Sequence, residues 1–114
     1  MALEVNGARG EVALTVGGVD LVIAATMKGL AALSTALGCK TFNDLFERLS
    51  LGEINAAMNA VRLLAVKGDG AKAADAMELS DMPGALAAFN KAIGHHLGDK
   101  SKNDEAAKDE TVDA

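Results

Sequence analysis

The sequence contains no tryptophan, no tyrosine and only three phenylalanines, so it lacks the aromatic platforms on which single-stranded nucleic acid stacks. Basic residues are also few. Eleven Lys and Arg against 16 Asp and Glu leave a formal charge of −5 and a pI near 4.9, which argues against a phosphate-neutralising surface and hence against a nucleic-acid ligand. The single cysteine, Cys39, excludes an internal disulfide. Apolar runs are short: stretches such as residues 21–25 and 30–33 fall far below the roughly 20 residues of a bilayer span, so no membrane partner is expected. The start Met1-Ala2-Leu3-Glu4-Val5-Asn6 has neither the basic region nor the apolar run of a secretory signal. With one unpaired cysteine, this fits a cytoplasmic protein.

What is present is alanine and leucine. Half of the 114 residues are apolar, and 23 are alanine and 14 leucine, a mixture that favours closely packed helices. The length suits one domain able to fold without disulfide or metal staples. The sequence predicts an α+β fold, an N-terminal β-hairpin packed on a bundle of four to five short helices. The domain spans residues 1–98, and a disordered, charged tail spans residues 99–114.

The first ten residues show little periodicity and read as a mobile lead-in. Glu11-Val12-Ala13-Leu14-Thr15-Val16 then alternates, breaks at Gly17-Gly18 and resumes as Val19-Asp20-Leu21-Val22-Ile23-Ala24, a two-residue hairpin signal. In that register Val16 faces Val19, Leu14 faces Leu21 and Val12 faces Ile23, which puts six aliphatic side chains on one face. Thr26 caps a first helix with Met27, Leu30, Leu33 and Leu37 as its stripe and Gly38 at its end. Thr41 and Asp44 open a second, with Phe42, Leu45, Phe46 and Leu49 at helical spacing up to Gly52. Ser50 with Glu53 predicts a capping box for a third helix, whose stripe Ile54, Ala57, Met58, Val61 and Leu64 or Ala65 runs to Gly68. After the Gly68-Asp69-Gly70 turn, residues 71–79 read as a short alanine-rich helix. Ser80 or Asp81 then caps a last helix, with Pro83 in its first turn, Leu86, Phe89, Ala92 or Ile93, and Leu97 buried, and a stop at Gly98. The 16 residues that follow carry nine charges and cannot bury enough apolar surface to offset the entropy of ordering.

No motif predicts catalysis. His95 and His96 point about 100° apart on a helix, with only Asp99 at a ligand spacing, so they read as imidazoles at a helix C-terminus rather than metal ligands. Gly68-Asp69-Gly70-Ala71-Lys72 lacks the Gly-Lys-Ser/Thr element of a phosphate loop and follows residues that read as helical, so it is taken as a turn. Cys39 has no histidine at a recognisable spacing and reads as structural. None of Ser34, Ser50 and Ser80 stands in the Asp-Ser-Leu of an acyl carrier. No enzyme, cofactor or metal is therefore expected. Methionine is different, because flexible thioethers suit surfaces that accept varied apolar partners as well as gaps in a core. Met58 reads as core. Met77, Leu79, Met82 and Leu86 flank a weak helix and have no evident internal partner, so they are the candidate partner-binding residues, with closure of the bundle as the competing role.

The segment Asn6-Gly7-Ala8-Arg9-Gly10-Glu11-Val12, the Gly-Gly hairpin, Gly29-Leu30-Ala31-Ala32-Leu33 followed by Leu37-Gly38, and Asp44-Leu45 with Arg48-Leu49 ahead of Gly52-Glu53 together resemble the tail assembly chaperones of gene transfer agents and related long-tailed phages. The resemblance covers residues 6–66 well and the last helix loosely. It departs at Ser34, where the family often has an acid, and in the long charged tail. It implies a non-catalytic factor of the bacterial host cytoplasm. Such a factor binds the tape-measure protein, keeps its apolar helices soluble and helps recruit the tail-tube protein. Two other readings stay open: a small acidic helical adaptor or regulatory domain, as a homo-oligomer whose helices pair, and a structural tail-tube component, for which more strands would be expected.

Overall fold

The computed structural model describes residues 3–108, with side chains as far as His95. Strands β1 (Val12–Val16) and β2 (Val19–Ile23) form the hairpin in the expected register, Val12 opposite Ile23, Leu14 opposite Leu21 and Val16 opposite Val19. Leu14, Val16, Leu21 and Ile23 are buried on the face that meets the helices, while Val12 and Val19 at its margins are half-buried.

The sheet has a third strand, which the helical reading of residues 54–68 missed. Helix α3 ends at Leu64, and β3 (Ala65–Lys67) pairs antiparallel with β2, giving the order β1-β2-β3. The Leu64 carbonyl accepts from the Ala24 amide at 3.0 Å, which pulls the end of the helix onto the strand. At Gly68, φ is +90° and a Cβ would lie 2.5 Å from the Asp20 carbonyl oxygen. The chain thus passes β2 too closely for a helix, with its side chains, to continue.

The lead-in is also structured. Residues 7–9 form a 3-10 turn in which Asn6 Oδ1 accepts from the Ala8 amide at 3.1 Å, and the Asn6 amide donates to Glu11 Oε1 at 2.9 Å. Lys67 Nζ donates to the Glu4 carbonyl at 2.8 Å, tying the segment to β3. Leu3 lies beside Ala13, Thr15 and Asp20 on the outer face of the hairpin. On that same face Val22 is fully buried.

The described residues form five helices. Helix α1 (Met27–Leu37) is capped by Thr26, whose Oγ1 accepts from the Gly29 amide at 3.0 Å, and ends at Gly38 in the left-handed conformation. Helix α2 (Phe42–Ser50) is capped by Thr41, which accepts from the Asp44 amide at 3.1 Å. Helix α3 (Ile54–Leu64) does not use the expected Ser50–Glu53 box. Ser50 is the last residue of α2, and Glu53, at the capping position, makes no side-chain cap. Its carboxylate is held instead by Arg48, at 3.1 Å from Nε and 2.6 Å from Nη2. Helix α4 (Gly70–Ala76) is shorter than predicted. It starts from Asp69, whose Oδ1 accepts from the Lys72 amide at 3.0 Å.

A 3-10 turn, Leu79–Asp81, leads into α5 (Met82–Lys108). Asp81 fastens this corner to the sheet, its Oδ2 accepting from the Glu78 amide at 2.9 Å and from the Gly17 amide in the hairpin turn at 3.1 Å. The stop predicted at Gly98 is not used, since the α5 backbone runs on to Lys108. A glycine in an exposed helix costs about 1 kcal/mol relative to alanine, which weakens a helix without ending it. The tail predicted for residues 99–114 therefore begins as helical backbone, and its residues 109–114 lie outside the described residues. So do the side chains of His96, Leu97 and Asp99.

Helix α5 packs on β1, α3 and α2. Phe89 is fully buried at the centre of the core, and Ala85, Ala88 and Ala92 on the same face let the neighbouring elements approach closely. The buried face of α3 is Ala56, Ala57, Ala60, Val61 and Leu64. Ile54 and Met58, predicted for that face, are exposed, because alanines and Val61 occupy the side of α3 nearest its neighbours.

Candidate functional site: an apolar groove

The predicted surface divides. Met77, Met82 and Leu86 are half-buried against the core, and of that set only Leu79 projects into solvent, at 77% exposure. The 3-10 turn before α5 explains the division, because it lifts Leu79 off the body while returning Met82 to it.

A larger apolar feature lies elsewhere. A groove of about 700 Å³ opens between the starts of α1 and α2, strand β3 and the middle of α5. Ala24 and Ala25, at the end of β2, are buried beneath it, and Met27, Leu30, Phe42, Val66 and Ile93 line it. Met27 is 81% exposed, Val66 44% and Phe42 41%. Phe42 is braced by Phe46, their rings stacked with centroids 5.8 Å apart. The apolar wall therefore has a fixed aromatic part and a flexible thioether part.

The sequence stripes assigned Met27 and Phe42 to the core, and helix geometry explains why they are not there. Each is the first helical residue after a threonine cap. Side chains on a helix lean toward its N-terminus, so a first-turn side chain overhangs the helix opening instead of resting on the preceding turn. The signal was legible as Thr-Met at 26–27 and Thr-Phe at 41–42. Val66 could not be found this way, because its strand was hidden at the end of an apparent helical stripe.

Two charged residues, Arg9 and Glu11, stand on the groove wall. Glu11 receives the Asn6 amide at 2.9 Å and lies 3.8 Å from Lys67 Nζ. Arg9 is exposed, and while its backbone amide donates to the Asn6 carbonyl at 3.0 Å, its guanidinium has no hydrogen-bond or ion-pair partner among the described residues.

The strongest polar cluster is structural. Arg48 donates to the Leu37 carbonyl at 2.6 Å, lies 3.6 Å from Cys39 Sγ and holds Glu53 with two hydrogen bonds, so it joins the end of α1 to the start of α3. Hydrogen bonding from Arg48 holds the Glu53 carboxyl below its usual range, against a smaller opposing effect of desolvation. Cys39 is half-buried beside this clip. Among the described residues no group of three or more His, Cys, Asp or Glu is arranged to hold a metal ion. The glycine-rich segment 68–72 follows a strand, contrary to the helical reading, but it forms no open cradle. A Cβ on Gly70 would lie 2.9 Å from the Val61 and Arg62 carbonyl oxygens, so the loop is pressed against the end of α3. Among the described residues no helix is long and apolar enough to cross a membrane.

No protein-family model matches the chain, and no curated protein or solved structure matches it.

Proposed function

We propose that the protein is a non-catalytic tail assembly chaperone that shields an apolar helical segment of a tape-measure protein and helps recruit the tail-tube protein. The observation that carries this reading is the groove. Three large apolar side chains on three different elements converge on one concavity while staying exposed, and exposed apolar patches on small domains mark sites of association. A concave surface edged by helix starts suits an amphipathic helix bound along its apolar face. The resemblance of residues 6–66 to the chaperone family supplies the partner, and the net charge of −5 helps such a complex stay in solution.

Co-expression with an apolar helical fragment of the tape-measure protein encoded among the same tail genes tests the proposal. The fragment is expected in the soluble fraction and in a stoichiometric complex with the wild-type chain. It is expected to be insoluble with a Met27→Asp, Phe42→Asp double variant that melts like wild type. A fragment that stays insoluble with the wild-type chain, or is solubilised equally by the double variant, rejects the proposal.

A further inference from the structure

We infer that the groove selects a partner helix whose apolar stripe ends in a carboxylate, read by Arg9. The inference rests on the groove being a docking site and goes beyond it to the chemistry of the occupant. Of the two charges on the groove wall, Glu11 is already engaged by the Asn6 amide and by Lys67. The Arg9 guanidinium has no partner among the described residues. The start of α1 adds to the same sign. Thr26 and Met27 line the groove, the Thr26 hydroxyl satisfies the Gly29 amide, and the first turn of α1 holds no acidic side chain. No carboxylate in its own first turn therefore offsets the positive end of that helix dipole.

On a chain of charge −5, the groove is thus bordered by a local cationic site. A guanidinium beside an apolar wall matches a carboxylate through two parallel hydrogen bonds. A second copy of this chain is the poorer occupant, because it would bring another −5 toward the first.

Two synthetic 18-residue helical peptides, acetylated and amidated, provide the probe. Both carry leucines at i, i+3, i+4 and i+7; one ends its stripe in Glu, the other in Gln. Titration calorimetry with the full chain at low salt is expected to show the Glu peptide binding about three- to tenfold more tightly. Arg9→Gln, at an exposed side chain, is expected to melt as wild type and to bind the two peptides equally. Equal binding of both peptides by the wild-type chain, a Glu preference that survives Arg9→Gln, or no binding of either peptide overturns the inference. Sedimentation of the free chain as a dimer whose formation is abolished by Met27→Asp also overturns it, since a second copy then fills the groove. The chaperone reading fails separately: if the tape-measure fragment stays insoluble while the Glu preference holds, only that reading is lost. A fragment solubilised equally well by wild type and Arg9→Gln leaves the chaperone reading in place and removes the carboxylate selection.

Discussion

The hairpin turn offers a paired test, because its two glycines share a backbone problem but not a steric one. Both have positive φ, 58° at Gly17 and 79° at Gly18, and placing alanine in that region costs about 1–2 kcal/mol. At Gly18 nothing lies within 4 Å of an added Cβ, whereas at Gly17 it would sit 2.5 Å from Ala76 Cβ and 2.6 Å from the Ala76 carbonyl oxygen. Overpacking of that kind adds about 1–3 kcal/mol, so Gly17→Ala is expected to cost about 2–5 kcal/mol in all. That is a large part of the roughly 5–15 kcal/mol that stabilises a typical domain. With no tryptophan in the chain, far-UV circular dichroism under urea is the suitable assay. Ala76→Gly in the Gly17→Ala background should recover part of the loss, because it removes the methyl contact and leaves the carbonyl. If Gly17→Ala and Gly18→Ala prove equal within about 0.5 kcal/mol, the turn is not seated on the end of α4 and the packing described above is wrong.

Leu79→Ser, at an exposed side chain, should change stability by less than about 0.5 kcal/mol, while Met77→Ser and Met82→Ser, half-buried against the core, should each cost about 1–3 kcal/mol in the same urea titration. Phe89→Ala, at the fully buried centre of the core, should cost about 3–5 kcal/mol by the same measure. For Glu53 the carboxyl is lowered in the folded state, so its contribution is present above the unfolded carboxylate range and lost as pH falls through the folded value. Thermal melts of wild type and Glu53→Gln should accordingly converge as the pH falls below the ordinary carboxylate range, and a gap that stays constant on acidification would contradict the assigned role of Arg48.

The elements most legible in the sequence were those with complete local signals. The Gly17-Gly18 turn fixed the hairpin register, and Thr26, Gly38 and Thr41 marked helix ends that the structure uses. Strand β3 was illegible because three residues are too few to show a two-residue alternation, and its cause is a tertiary pairing with β2. Met58 and Ile54 obeyed helical spacing but lost the buried face to smaller neighbours, since Ala56, Ala57 and Ala60 allow closer packing than a methionine would. The groove was out of reach for a related reason. It is assembled from residues on five elements, and its most exposed members were assigned to stripes from which helix-start geometry removes them.

The central claim, that a partner's apolar helix docks between the starts of α1 and α2, can be read directly from the methionine methyl groups. Met27 lies on the groove wall, whereas Met77 and Met82 are packed against the core and Met58 is exposed on α3 outside the groove. In a chain with 13C-labelled methionine methyls, adding the tape-measure fragment should shift or broaden the Met27 resonance and leave those of Met58, Met77 and Met82 in place. Movement of Met77 and Met82 with Met27 unchanged would return the partner surface to the start of α5 and contradict the account.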